Sequence, residues 1–163
     1  MKKILIALAL FSSLSVSANQ DAEVLGVAFG STCEETVQKL NKDYGTPKSQ
    51  SADKLVYLNE MFEGFKADRV ELGFQDLQGT TKLNQARFYF VCPNKAAAIA
   101  RMKSLVKKME TRYSVSYDEE DGGTAFYKGG NSPLGIGCLF TIFVSPYQGK
   151  WTCQLRYGKF QFK

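Results

Sequence analysis

The chain has 163 residues, a formal net charge of +5, four cysteines, one tryptophan and no histidine. Without imidazole, Ser-His-Asp and Cys-His relays cannot be built, and the commonest transition-metal ligand and near-neutral pH switch are missing. No Cys-x-x-Cys spacing occurs, which argues against a thioredoxin-type redox centre or a compact zinc site, and no cofactor is expected.

Lys2 and Lys3 precede an apolar run, Ile4 to Phe11, and small residues ending at Ala18. This is the pattern of a bacterial secretory signal peptide over 1–18, so a periplasmic or secreted protein is expected. No other stretch approaches the ~20 apolar residues of a membrane span, and no cysteine follows the cut to carry a lipid. Losing Lys2 and Lys3 lowers the charge to +3, a weak draw for nucleic acid. About 145 residues remain at 19–163, the size of one domain with a real core.

A short strand over 24–28 leads into a helix. Ser31 with Glu34, or Thr32 with Glu35, makes a capping box, and Cys33, Val37, Leu40 and Tyr44 recur at helical spacing. Gly45 and Pro47 stop it. Strands are expected over 54–59, 69–75 and 84–92, separated by Glu63-Gly64 and by a polar loop from Asp76 to Lys82. Asn94 then caps the strongest amphipathic helix, whose stripe is Ile99, Met102, Val106, Met109 and Tyr113, widened by Ala98 and Leu105. Lys95, Arg101, Lys103, Lys107, Lys108 and Arg112 fall on its other faces, as a solvated surface does. Strands over 113–117, 124–128, 136–144 and 151–158 complete the chain.

Each half, about 24–92 and 93–163, reads as a helix followed by antiparallel strands, a repeat of pattern rather than of sequence. The economical arrangement is an α+β fold: one twisted antiparallel sheet with both helices on one face. Strands 54–59 and 113–117 are expected to offer edges, a route to a homodimer.

Cys33, Cys92, Cys138 and Cys153 form an even set in an oxidising compartment, so two disulfides are expected. If both helices run the same way, Cys33 and Cys92 open at the same end and pair. Cys138 with Cys153 then requires a broken or bulged hairpin, because a turn near 146–149 leaves them roughly 13 Å out of register. Cys33, at a helix N-terminus, is the one cysteine placed to be a nucleophile, and a disulfide is the preferred role.

Gly30, Ser31 and Thr32, with Val37, Leu40 and Gly45-Thr46-Pro47, resemble the first helix of the SmpA/BamE-like periplasmic family. The tandem helix-plus-strands plan resembles the β-lactamase inhibitor protein family. These resemblances cover one helix and the plan, and they imply a scaffold that binds other proteins.

Other motifs read as structure. Asp118 to Asp121 followed by Gly122-Gly123 is a solvated turn rather than a carboxylate pair or calcium loop. Arg87 to Val91 looks like an RNA-stacking strand but lacks its glycines, and the stretch 129–133 lacks the lysine and helix of a phosphate loop. Met61, Phe62, Phe65 and Tyr147 are apolar where turns are usually polar, and are the candidate partner-binding residues unless those turns fold back over the sheet. The expected function is a disulfide-stapled, non-catalytic binding protein acting on another protein as an inhibitor, immunity-type protein or envelope accessory factor. The alternatives are a small-ligand carrier and a histidine-independent envelope enzyme.

Overall fold

The computed structural model describes residues 22–120 and 124–163. The leader expected over 1–18 and the tip of the acidic turn, 121–123, lie outside them. The elements are β1 (Glu23–Val24), β2 (Val27–Ala28), α1 (Cys33–Tyr44), β3 (Ser49–Gln50), β4 (Lys54–Phe62), β5 (Phe65–Leu77), β6 (Thr80–Cys92), α2 (Lys95–Met109), β7 (Val115–Glu120), β8 (Thr124–Asn131), β9 (Cys138–Tyr147) and β10 (Lys150–Gly158). β1 and β2 form a small hairpin, and the other eight strands make one antiparallel sheet in the order β3-β4-β5-β6-β10-β9-β8-β7. Both helices pack against it, so the α+β expectation holds. No helix among the described residues is long and apolar enough to cross a membrane.

The strand order is a mirror. Outward from the central seam run β6-β5-β4-β3 on one side and β10-β9-β8-β7 on the other. α1 begins with the capping box of Thr32 and Glu35: Thr32 N donates to the carboxylate at 2.7 Å and Glu35 N donates to Thr32 Oγ1 at 3.2 Å. α2 begins at Asn94, whose Oδ1 accepts from Ala97 N at 2.9 Å. Ala98, Met102, Leu105, Val106 and Met109 are its buried stripe. These residues, with Leu40 of α1, join Leu55, Val70, Leu72, Phe88, Phe90, Ile142 and Leu155 of the sheet in one core.

Several strands run further than the apolar pattern suggests. The polar loop expected from Asp76 to Lys82 is strand, turned by Gln78 and Gly79 at φ 54° and 85°. The equivalent turn of the other half is Gln148-Gly149, at φ 51° and 75°. Two successive positive φ values match the right-handed twist of the flanking strands, which is why so short a turn suffices. Gly129, Gly130 and Asn131 belong to β8 rather than to a flexible connection, and Asp118 and Glu119 belong to β7 rather than to a turn. In β6, the partner register skips Asn84, which bulges and is held by the C-terminal tail: its side chain donates to Phe160 O at 2.9 Å and its carbonyl accepts from Phe160 N at 2.9 Å. This bulge switches the core-facing positions from Leu83 to Ala86, Phe88 and Phe90.

Of the two expected edges, β7 is one, whereas β4 is flanked over Leu55 and Val56 by the short β3.

Candidate functional site

The two helices cover one side of the sheet, and on the other Tyr89, Thr152 and Gln154 are buried among their neighbours while Arg87, Phe143, Tyr147 and Arg156 are partly exposed. Alternation along β6 turns Phe88 and Phe90 to the helices and Arg87 and Tyr89 outward. Along β10, Leu155 faces the helices and Gln154 and Arg156 face outward. The seam register sets Arg156 directly opposite Arg87. Like charges directly opposite one another in an antiparallel pair are unfavourable. Such a local conflict is more characteristic of a recognition surface than of a stabilising one.

Around that pair the face is built from aromatic rings and one engaged carboxylate. The Arg156 guanidinium carbon lies 5.0 Å from the centroid of Phe143. With its amide oxygen turned toward Arg87, Gln85 accepts from Nη2 at 3.1 Å and Nε at 3.2 Å. Arg69 Nε donates to Glu71 Oε1 at 2.8 Å, and the Tyr89 hydroxyl donates to Glu71 Oε2 at 3.4 Å. The ring of Tyr89 stacks on Tyr147 at 4.3 Å and 31°. Burial, more than any nearby charge, pushes the Tyr89 phenol above its ordinary range, so it remains a neutral donor. Gln154 is held by donation to Thr152 Oγ1 at 2.9 Å, and Thr152 donates to Ser145 O at 2.6 Å. The centre of the face is thus pre-ordered, with Arg69 held on Glu71, Arg87 on Gln85 and Arg156 against Phe143. Tyr, Arg and Phe are the side chains that carry binding energy at protein interfaces when a partner desolvates them.

The four candidates from the sequence separate. Tyr147 belongs to the open face. Phe62 and Phe65 fold back onto the core: the Phe62 ring lies 4.3 Å from Phe88, and Phe65 lies edge-on to Phe90 at 6.5 Å beneath the Arg101 guanidinium. Met61 stays 55% exposed at the same hairpin, away from the seam. The turn at Glu63-Gly64 is therefore a clamp rather than an outward aromatic tip, and Arg112 fixes it by an ion pair with Glu63. Some cations of α2 consequently have packing roles, with Lys95 set over Trp151 at 5.5 Å as another. Sequence reasoning missed Arg87, Arg156 and Phe143 as a group, since their juxtaposition needs the pairing of β6 with β10. It also missed Ile136, expected in a strand and found 88% exposed at a loop beside Leu134.

The cysteines correct the expected pairing. All four are free thiols in this structure. The bridge of Thr32 with Lys82 sets Cys33 beside the first residues of β6, whereas Cys92 ends that strand, roughly 30 Å away at strand rise. The premise that failed is that both helices start at the same end of the sheet. Cys138 cannot meet Cys153 either, because the β9–β10 hairpin is regular and sets Val144 opposite Cys153. The cysteines that the fold brings together are Cys92 and Cys153, diagonal across the seam on its helix side. Burial, followed by the nearby Cys92, pushes the Cys153 thiol up to about 12. Burial and Glu34 also raise Cys33, the reverse of what a nucleophile requires.

A polar cleft of about 640 Å³ lies where β7 leaves α2, lined by Arg112, Ser116, Lys128 and Cys138 among others. Its two cations are engaged, Arg112 with Glu63 and Lys128 with Asp118. Among the described residues no group of three or more Cys, Asp or Glu is arranged to hold a metal ion.

Fold and site together define an α+β domain with one sheet face closed by two helices and the other open, arginine-rich and aromatic. No protein-family model, curated protein or solved structure matches the chain.

Proposed function

We propose that the chain is an exported, non-catalytic binding protein that acts on another protein of the envelope or extracellular space through the open face of its sheet. The observation that carries this reading is the Arg87–Arg156 pair at the seam, flanked by Phe143 and by the Tyr89–Tyr147 stack. Guanidinium groups on a rigid sheet recognise carboxylates in fork geometry, and the rings supply apolar area at low entropic cost. The partner is therefore a folded protein presenting carboxylates beside an apolar patch, and the action is inhibition, immunity or assistance by occupancy. The tandem plan that resembles the β-lactamase inhibitor protein supports the same reading.

The test is paired capture from envelope extract, with the wild-type protein and the Arg87→Glu/Arg156→Glu double variant as baits. A protein retained by the first and lost by the second is then purified and its affinity measured directly. The expected result is a loss of at least about tenfold on charge reversal. Equal retention by both baits removes the open face from the reading. A retained component that this chain itself converts to product moves the weight to the enzyme alternative.

In an oxidising compartment the thiols have an order. Cys92 and Cys153 are the pair proposed to bridge, leaving Cys33 and Cys138 to alkylation. Peptide mapping of protein recovered from the periplasm checks this, and a cross-link of Cys33 to any other cysteine excludes it.

A further inference from the structure

α2 packs on β6, β10 and β9, and the helix side of the outer strands β8 and β7 lies beyond it. Between the helix and those strands is a cleft of about 650 Å³, on the side of the sheet opposite the arginine seam. Its helix wall is one stripe of α2, in which Lys95, Ile99, Met102 and Lys103 follow at steps of four, three and one. Its sheet wall is aromatic. Tyr117 and Tyr127 meet edge-on at 5.5 Å, and Trp151 closes the end under Lys95. Tyr117 is 57% exposed although it faces the same side as the core. The charge is one-sided, because the lining contains two lysines and no carboxylate among the described residues.

These features specify an occupant. The volume falls in the range of small-molecule sites, about 300–1,000 Å³. The apolar stripe and rings leave area that gains from being covered by hydrocarbon. Lys95 is already committed over the indole ring, whereas Lys103 has no ion pair among the described residues. The two nitrogens belong to residues separated by about 12 Å of helix, so an extended molecule reaches from the tryptophan end to the Lys103 end. A lone ammonium is a point charge, which suits a singly charged head such as a carboxylate. We infer that this cleft binds a single-chain amphiphilic carboxylate, with its chain along Ile99, Met102 and the two tyrosines and its head on Lys103. The cleft shares one residue, Phe143, with the face around the arginine pair, whereas Lys103 and Tyr117 belong to the cleft alone and test it separately from the open-face reading.

Trp151 is the one tryptophan of the chain, so its emission reports occupancy without a label. The experiment titrates the purified protein with dodecanoate below its micellar concentration, and in parallel with dodecanol, which has the same chain and no charge. Calorimetry supplies the stoichiometry. The expected result is a saturable change with one dodecanoate per chain. Lys103→Gln should weaken dodecanoate by about tenfold, the loss of one charge-assisted hydrogen bond in a partly dry cleft, and leave dodecanol unchanged. Tyr117→Ala should weaken both ligands. Both side chains are exposed, and an unchanged circular dichroism spectrum confirms that each variant is folded. The inference is overturned if neither ligand saturates by both methods, or if Lys103→Gln leaves dodecanoate binding intact. It is equally overturned if only an acidic peptide, and no amphiphile, produces a saturable signal.

Discussion

The two halves of the sheet share a plan and differ in closure. In the first, α1 lies over strands whose hairpin tip bends back, so that Phe62 and Phe65 finish the core beside Phe88 and Phe90. In the second, α2 lies against the seam, and the corresponding outer strands keep Tyr117 exposed over a cleft. The helix-plus-strands unit fixes architecture, and the way each half covers its flank decides what remains available for binding. What differs between the halves is therefore a better guide to function than what they share.

Removing the side chain that links the halves tests the comparison most severely. Phe88 touches Phe62 of its own half and lies 6.2 Å from Tyr157 of the other. Phe88→Ala should cost about 3–5 kcal/mol and leave a single unfolding transition in urea. Two separate transitions would show that the halves are independent units.

Interior strand glycines sharpen it next. An added Cβ at Gly129 would meet Phe140 Cζ at 2.7 Å and the Ser114 carbonyl at 2.9 Å, because the segment leaving α2 crosses β8 there. In the first half, Gly73 would meet the Gln85 side chain at 3.3 Å and beyond and Asn84 Oδ1 at 3.9 Å, with no backbone atom in the way. Gly129→Ala should cost about 1–3 kcal/mol by overpacking, and clearly more than Gly73→Ala. Equal melting temperatures for the two variants would contradict the close crossing.

How far the sequence reveals the fold can be judged from such positions. The helix stripe of Met102, Leu105 and Met109 and the caps at Thr32 and Asn94 are local, so spacing alone exposes them. Two-residue turns with Gln in a positive-φ position were concealed, because Gln is an unusual choice there, and strands therefore extended into supposed loops. The site was the least legible part. Arg87 and Arg156 lie far apart in sequence and acquire meaning only when β6 pairs with β10. Phe62 and Phe65 looked available because nothing local indicates that a hairpin tip will bend inward.

The helix caps give a smaller effect. Asn94→Ala should cost about 1 kcal/mol in thermal or urea melts, since α2 has no reciprocal acid to share the first-turn donors. The smallest effect is one of pH. Donation from Thr32 N, then from its hydroxyl, holds the Glu35 carboxyl below its ordinary value. A depressed folded pKa contributes stability above the unfolded value, which is lost as pH falls through the folded one. Carboxyl NMR should therefore show Glu35 titrating below the ordinary glutamate range, and Thr32→Ala should move it upward. An unchanged midpoint in that variant would remove the Thr32 hydroxyl as a cause and leave the retained backbone N–H.

β10 is the last strand in sequence and sits at the middle of the sheet, between β6 and β9. Until it arrives, β6 presents a bare hydrogen-bonding edge and β9 has no inner neighbour, so neither half can finish its structure alone. Closing the seam pairs β6, from the middle of the described chain, with β10 near its end, a long-range contact that slows folding relative to local ones. A sheet wired in this order cannot be completed from either half inward until the last described strand slots between them.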